Sequence, residues 1–283
     1  MSLAAVKPKF SRVALIGKVR SPEIAGSLRE LAELLGKRGC TVLEAKDASA
    51  DLAVVVGGDG SLLAAARELV GRKVPVVGVN LGRLGFMTDI GHENMREGIG
   101  AILDGQYTIE ERALLDAEIF RGAKSQLRSI ALNEAVVGKG AQGRLIEFAL
   151  SIDGEFVYRL RGDGVIVATP TGSTAYALSA QGPILHPAVP ALALVPLNPH
   201  TLSARPVSVS DRSVIEITVM SSLDARAHFD GIALADMAGG DRLVLKRSAD
   251  VVRFVHPPGY RYFATLREKL RWSEALDKQR SRE

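Results

Sequence analysis

The stretch Leu52–Val56 is five apolar residues without a polar break, and it runs directly into Gly57-Gly58-Asp59-Gly60. A strand with one wet face alternates in polarity, whereas one that is apolar throughout is covered on both sides, as in a parallel sheet between helices. Helical apolar spacing then starts near Ser61 and lasts to Leu69. Similar units flank this one. Residues 13–17 predict a buried strand, and Ser21-Pro22 offers an N-cap followed by a first-turn proline. Ile24, Leu28, Leu31 and Leu35 make one stripe of a helix that stops near Gly39, and residues 41–44 and 74–80 predict further strands. Strands alternating with helices in this way imply an α/β domain with a parallel, Rossmann-like sheet.

Past about Arg112 the pattern changes to hairpins. Ile146, Phe148, Leu150 and Ile152 alternate, Asp153-Gly154 makes a turn, and residues 155–160 return as the partner strand. Residues 115–119, 131–137, 214–219, 242–246 and 251–255 also predict strands, and beyond Pro257-Pro258-Gly259 the spacing of Phe263, Leu266 and Leu270 predicts a last helix. The expected organisation is an α/β domain over residues 1–112 and a mainly-β, sandwich-like domain over 113–260. A helix over about 261–283 is expected to pack back on the first domain.

Composition narrows the partners. The net charge is +4 and the basic residues are interspersed with acids, which suits an anionic small molecule better than nucleic acid. Residues 188–197 form the longest apolar stretch, about half a membrane span, and contain Pro190 and Pro196, so no membrane segment is expected. The first twelve residues lack the apolar region of a signal peptide, and the one cysteine, Cys40, forms no internal disulfide and is expected in the core. These features point to the cytosol.

Two loops carry the chemistry. Gly57 to Gly60 lies where a strand gives way to a helix, the position at which open α/β sheets bind ligands. Glycines leave backbone N–H groups accessible to phosphate oxygens, and the helix N-terminus adds partial positive charge. An aspartate beside phosphates is repulsive unless it faces a hydroxyl donor or a metal; the plainer reading is that Asp59 caps the helix. The second loop, Thr169-Pro170-Thr171-Gly172-Ser173-Thr174-Ala175-Tyr176, follows an apolar strand over residues 165–168. Its hydroxyls and free N–H groups could meet ribose or phosphate oxygens, and Tyr176 offers a face for an adenine ring; the alternative is a Ser/Thr cap with Tyr176 in the core.

With these two loops the sequence resembles the NAD kinase family from about Leu52 to Trp272. The family's GGDG stands as Gly57 to Gly60, its LGF as Leu84-Gly85-Phe86, its Asn-Glu pair as Asn133-Glu134, and its TPTGSTAY as Thr169 to Tyr176. The resemblance implies transfer of a phosphoryl group from ATP, with magnesium held mainly by the phosphates, to the 2′-hydroxyl of the adenosine ribose of NAD, giving NADP and ADP. Asp59 would accept the proton. Gly57, Gly58, Gly60, Phe86, Asn133 and Glu134 would line the nucleotide site, with Thr171, Thr174, Ala175, Tyr176, Ala177, Leu178 and Ser179 at the adenosine end. Asp163 would reach NAD from a neighbouring subunit of a dimer or tetramer, and Arg144 and Arg161 fall at ligand-contact positions of variable type. One departure is Ile232, where many bacterial members carry glutamine after an Asp-Gly pair. Asp230-Gly231 is then either a hairpin turn or a remnant of that contact.

Other signals are weaker. Gly138 to Gly143 spells G-x-G-x-x-G, but strand alternation follows it where a phosphate-binding helix would have to start, so it reads as a hairpin loop. The five histidines are scattered and read as surface or satisfied side chains. The rival functions are a lipid or sugar-phosphate kinase sharing GGDG, which leaves Asn133 and residues 169–176 unexplained, and a non-catalytic NAD sensor, which leaves Asp59 without a task.

Overall fold

Every residue of Leu52–Val56 is buried, and the same holds for Val76–Asn80 beside it. The computed structural model describes residues 9–272 apart from 20, 46, 48, 83, 84, 202, 222, 223 and 232. It divides into two compact units, Met1–Glu111 with Val252–Glu283, and Arg112–Val251.

In the first unit β1 (Arg12–Ile16), α1 (Pro22–Lys37), β2 (Thr41–Leu43), β3 (Leu52–Val56), α2 (Asp59–Leu69), β4 (Val76–Asn80), β5 (Ile90–Gly91) and α3 (Met95–Leu103) follow in turn. The sheet is parallel in the order β2-β1-β3-β4. Successive strands are added on one side of β1 as far as β2 and on its other side from β3 onward, and Gly57 leaves β3 at that switch point, where ligands bind in open α/β sheets. Ser21 caps α1 through its hydroxyl, which accepts from the Ile24 N–H, and Pro22 occupies the first turn. Leu31 and Leu35 of α1 and Met95, Ile99 and Ile102 of α3 share one apolar cluster with Val54, Val56, Val77 and Val79. Cys40 is buried at the edge of the same cluster, its thiol 3.4 Å from the Phe10 carbonyl.

The second unit is antiparallel. It comprises β6 (Thr108–Arg121), β7 (Lys124–Ala131), β8 (Glu134–Lys139), β9 (Ile146–Ile152), β10 (Glu155–Gly162), β11 (Gly164–Ala168), the one-turn α4 (Tyr176–Ser179), β12 (Ala191–Leu197), β13 (Val207–Ser210), β14 (Ile215–Ser221), β15 (Ala225–Phe229) and β16 (Ala233–Met237). β17 (Arg242–His256) then carries the chain back to the first unit, where α5 (Tyr262–Leu270) follows. One sheet is ordered β13-β12-β11-β8-β15-β16; in the other β10, β9, β14 and β17 are neighbours and β6 pairs with β7 and β17. Phe148, Leu150, Ile215, Ile217, Leu243 and Leu245 from one sheet meet Val137, Val165, Val167, Leu194 and Phe229 from the other in a single core, the arrangement of a β-sandwich.

Three expectations change. Residues 131–137 are not one strand: the chain leaves β7 at Ala131 and enters β8 of the other sheet at Glu134, because a buried carboxylate described below takes the N–H groups at the break. Residues 242–246 and 251–255 are parts of the single strand β17, which runs unbroken through residues 247–250 between them. The Gly138 to Gly143 loop joins strands of different sheets, so it is a crossover and not a hairpin; Asp224 anchors it by accepting from Gln142 N–H at 2.5 Å. The Asp153-Gly154 turn is as expected, both residues having positive φ. Among the described residues no helix is long and apolar enough to cross a membrane. Leu84, Ile232 and residues 273–283 of the expected last helix lie outside the described residues.

His256, at the end of β17, is 2% exposed. Its Nδ1 lies 2.5 Å from Asp89 and its Nε2 3.0 Å from Glu110, while Tyr260 stacks on the ring at 3.8 Å. Two carboxylates require two ring N–H donors, which only the imidazolium has. Burial alone would lower the pKa, but the hydrogen bonds and charges of Asp89 and Glu110 together raise it. A raised folded-state pKa stabilises the fold below the unfolded value of about 6.5, and that contribution disappears as pH rises through the folded value. His256→Gln should therefore lower the unfolding free energy by about 1.5–3 kcal/mol at pH 6, with a smaller loss at pH 9. Urea titrations of both proteins at both pH values measure this, and a pH-independent difference would contradict it.

Candidate active site

In the first unit α2 begins at Asp59 with Gly58 as its N-cap, and no side chain caps it. The aspartate therefore does not act as a helix cap. Its carboxylate turns to the loop after β4, where Oδ2 accepts from Phe86 N–H at 2.7 Å and Oδ1 from Met87 N–H at 3.1 Å and the Thr88 hydroxyl at 3.2 Å. A Cβ on Gly85 would lie 1.9 Å from Asp59 Oδ1, so glycine is what lets the two loops close together. Gly58 and Gly60 are exposed, and a Cβ on either would meet nothing within 4 Å. No protein contact demands glycine at those two positions. A cleft of about 220 Å³ borders Gly85, Thr88 and Asp89 and is also lined by Arg261, Glu268 and Lys269, the last two paired at 3.3 Å.

The second unit holds the other expected residues. Asp230 and Gly231, both at positive φ, turn the chain between β15 and β16. Asp230 is 7% exposed, and its carboxylate accepts from the N–H groups of Leu132 at 2.8 Å, Asn133 at 2.7 Å and Glu134 at 3.0 Å. The Asp-Gly pair is thus a hairpin turn that also fixes the Asn-Glu pair. Asn133 Oδ1 and Glu134 Oε2 are buried without a hydrogen-bond partner. Unsatisfied buried acceptors are costly, so two side by side suit a ligand rich in hydroxyl donors. Burial, reinforced by the charge of Asp230, pushes the Glu134 carboxyl up to about 7. Near neutral pH it can then either accept or donate a hydrogen bond.

Residues 169–176 pack directly against this pair. Thr169 N–H donates to Asn133 O at 2.9 Å and its hydroxyl to Leu132 O at 2.5 Å, while a Cβ on Gly172 would lie 2.0 Å from Asn133 O. The Ser173 hydroxyl donates to Pro170 O at 2.6 Å and accepts from Leu185 N–H at 2.9 Å, and the Thr174 hydroxyl donates to Thr171 O at 3.2 Å. These hydroxyls bond within the loop and to its neighbours, because buried hydroxyls need partners wherever they lie. The following helix α4 has four residues, too few for an appreciable dipole. Tyr176 is 48% exposed, so the alternative of a core tyrosine is excluded and its ring face is accessible. Ala177 is buried beside Leu185 and Val195, Thr171 is buried with its hydroxyl 3.3 Å from Arg112, and Ala175 and Leu178 are half-buried. Ser179, Arg144 and Arg161 are exposed.

Asp163 pairs with Lys139 at 2.7 Å and accepts from Asn198 at 2.8 Å, and these contacts hold its carboxyl below the usual range. The fold therefore groups Asp59, Gly57, Gly58, Gly60 and Phe86 in one unit, and Asn133, Glu134 and residues 171–179 in the other. Sequence reading missed Met87 and Thr88 as partners of Asp59 and Asp230 as the anchor of Asn133-Glu134. Only the nearness of Thr88 to the LGF element hinted at the first.

Comparisons with known proteins agree with this layout. Residues 40–107 match the ATP-NAD kinase N-terminal domain and residues 132–257 the ATP-NAD kinase C-terminal domain. The NAD kinase of Aromatoleum aromaticum is 54% identical, covering 93% of this chain and 95% of the relative, and that of Azoarcus sp. is 51% identical, covering 93% and 97%. Among solved structures, yeast NADH kinase complexed with NADH is similar with a TM-score of 0.83 at 25% identity, covering 93% of this chain and 88% of that one. An NAD kinase from Archaeoglobus fulgidus in complex with ATP is similar with a TM-score of 0.78 at 29% identity, covering 92% and 98%. Both family domains, in order, and relatives matched along nearly their whole length at about half identity establish that this chain belongs to the NAD kinase family.

Proposed function

We propose that this protein transfers the γ-phosphoryl group of ATP to the 2′-hydroxyl of the adenosine ribose of NAD, producing NADP and ADP, with Asp59 as the proton acceptor. The observation that carries the reading is the Asp59 carboxylate, turned from its own helix and fixed by three donors beside the exposed glycines Gly58 and Gly60. A ribose hydroxyl is far too weak an acid to lose its proton to a carboxylate before attack. Asp59 orients the hydroxyl and takes the proton late, as the new O–P bond forms and the β,γ-bridging bond breaks. Such a loose phosphoryl transfer depends on positioning and charge neutralisation. ATP would enter as its magnesium complex, with the ion held mainly by the phosphates and water, where it would neutralise charge on the transferred group.

Asn133 and Glu134 supply acceptors for ribose hydroxyls, and Tyr176 with Thr171, Thr174, Ala175, Ala177, Leu178 and Ser179 form the adenosine end. Asp163, Arg144 and Arg161 complete the reading at the outer contacts, with Asp163 serving a neighbouring subunit in a homo-oligomer. A cytosolic location fits the single, unpaired Cys40. The test is direct: purified protein with magnesium, ATP and NAD should form NADP. Tight NAD binding without NADP would favour a sensor, and phosphorylation of diacylglycerol or fructose 6-phosphate in its place would favour a different kinase.

A further inference from the structure

The donors around Asp59 are themselves constrained. Thr88 is 1% exposed, and its hydroxyl oxygen accepts from Gly85 N–H at 2.9 Å and from the Asn80 side-chain amide at 3.2 Å. A hydroxyl has two acceptor sites and one proton. With both acceptor sites occupied, the proton is directed to the third neighbour, Asp59 Oδ1, at 3.2 Å. Asn80 is fixed in turn, because its Oδ1 accepts from Gly82 N–H at 3.0 Å and so its Nδ2 must face Thr88. Turning the amide over would set its NH₂ against the Gly82 N–H, two donors facing each other.

Hydrogen-bond capacity also separates the two oxygens of Asp59. A carboxylate offers about two acceptor positions on each oxygen. Met87 N–H and the Thr88 hydroxyl fill both positions of Oδ1, whereas Phe86 N–H fills one of Oδ2. Among the described residues, Oδ2 is the oxygen with capacity for one more donor.

We infer that Thr88, oriented by Asn80, is a positioning residue that commits Asp59 Oδ1 to the protein and leaves Oδ2 as the atom that receives the substrate proton. This rests on the proposed role of Asp59. The balance of the step is complete: the O–H bond of the substrate breaks, its proton passes to Oδ2, its oxygen bonds the transferred phosphorus, and the leaving oxygen departs with ADP. Without the Thr88 donor, Oδ1 has an open position of its own, the carboxylate can rotate, and the hydroxyl has two competing acceptors.

Thr88→Val keeps the shape of the side chain and removes its proton. It should lower kcat, and the single-turnover rate of NADP formation, about 10- to 100-fold, the span of a hydrogen bond to a charged group. The KM values for NAD and ATP should stay within about twofold, since the contact acts on Asp59 and not on either substrate. Thr88→Ser, which retains the hydroxyl, should return to within about threefold of the parent rate. A folded Thr88→Val with parental kcat overturns the inference, as does a Thr88→Ser that is as slow as Thr88→Val. Should Thr88→Val not fold, Asn80→Asp is the second arm. It gives the Thr88 proton an alternative acceptor, so kcat should again fall at least about fivefold with KM little changed, and a parental kcat overturns the inference. Asp59→Asn distinguishes the levels. If it retains turnover, the proton-acceptor reading fails and this inference with it; if it loses turnover while the Thr88 and Asn80 variants do not, only this inference fails.

Discussion

Asp59→Asn should reduce the rate of NADP formation by roughly 10²- to 10⁴-fold, the span of a lost general base. NAD should still bind within about threefold of the parent affinity, because the substitution leaves Asn133, Glu134 and Tyr176 untouched and binding does not depend on proton transfer. The amide is nearly isosteric, yet it replaces one acceptor oxygen by a donor in a site where Phe86 N–H, Met87 N–H and the Thr88 hydroxyl all donate. Some loss of local order is therefore part of the expected result. Thermal unfolding separates that loss from the chemical one, and calorimetric titration with NAD reports the binding. A variant that is folded, binds NAD and retains a tenth or more of the parental rate would remove Asp59 from the chemistry.

The largest expected effect on stability lies at Asp230. Asp230→Ala strands the buried N–H groups of Leu132, Asn133 and Glu134 at the point where the chain passes from β7 to β8. Each unsatisfied buried donor costs about 1–3 kcal/mol, and relaxation or entry of water recovers part of the sum, so a net loss of roughly 3–5 kcal/mol is expected. Asp230→Asn keeps one acceptor oxygen and should lose about half as much. In both variants the KM for NAD should rise more than kcat falls, since Asn133 and Glu134 are displaced while Asp59 is not. Denaturant unfolding with steady-state kinetics provides both measurements. A loss under about 1 kcal/mol for Asp230→Ala would show that the three bonds do not hold the sheet crossing.

The two residues illustrate how far the chain could be read in advance. The strand before Asp59 and the helix after it follow from Leu52–Val56 and the apolar spacing of residues 61–69, so its place at a sheet edge was legible. Its partners were not, because they stand 27 to 29 residues away and two of them are backbone groups that any residue would supply. For Asp230 the turn was legible as Asp-Gly, but its acceptor role was not: the three N–H groups lie 96 to 98 residues earlier. For the Thr169 to Tyr176 loop the internal hydrogen bonds were not legible either. Its hydroxyls resembled ligand donors in the sequence, and burial turned most of them inward.

The sequence by itself determined the parallel α/β half, the hairpin at Asp153-Gly154, the single buried cysteine and the family motifs. Periodicity and turn chemistry are settled by residues within a few positions of one another. Only the tertiary structure decided that residues 131–137 cross between sheets, that Glu134 titrates near 7, and that one oxygen of Asp59 is already committed. Desolvation, charge proximity and hydrogen-bond saturation depend on which atoms the fold brings within a few ångströms, and those atoms come from distant parts of the chain.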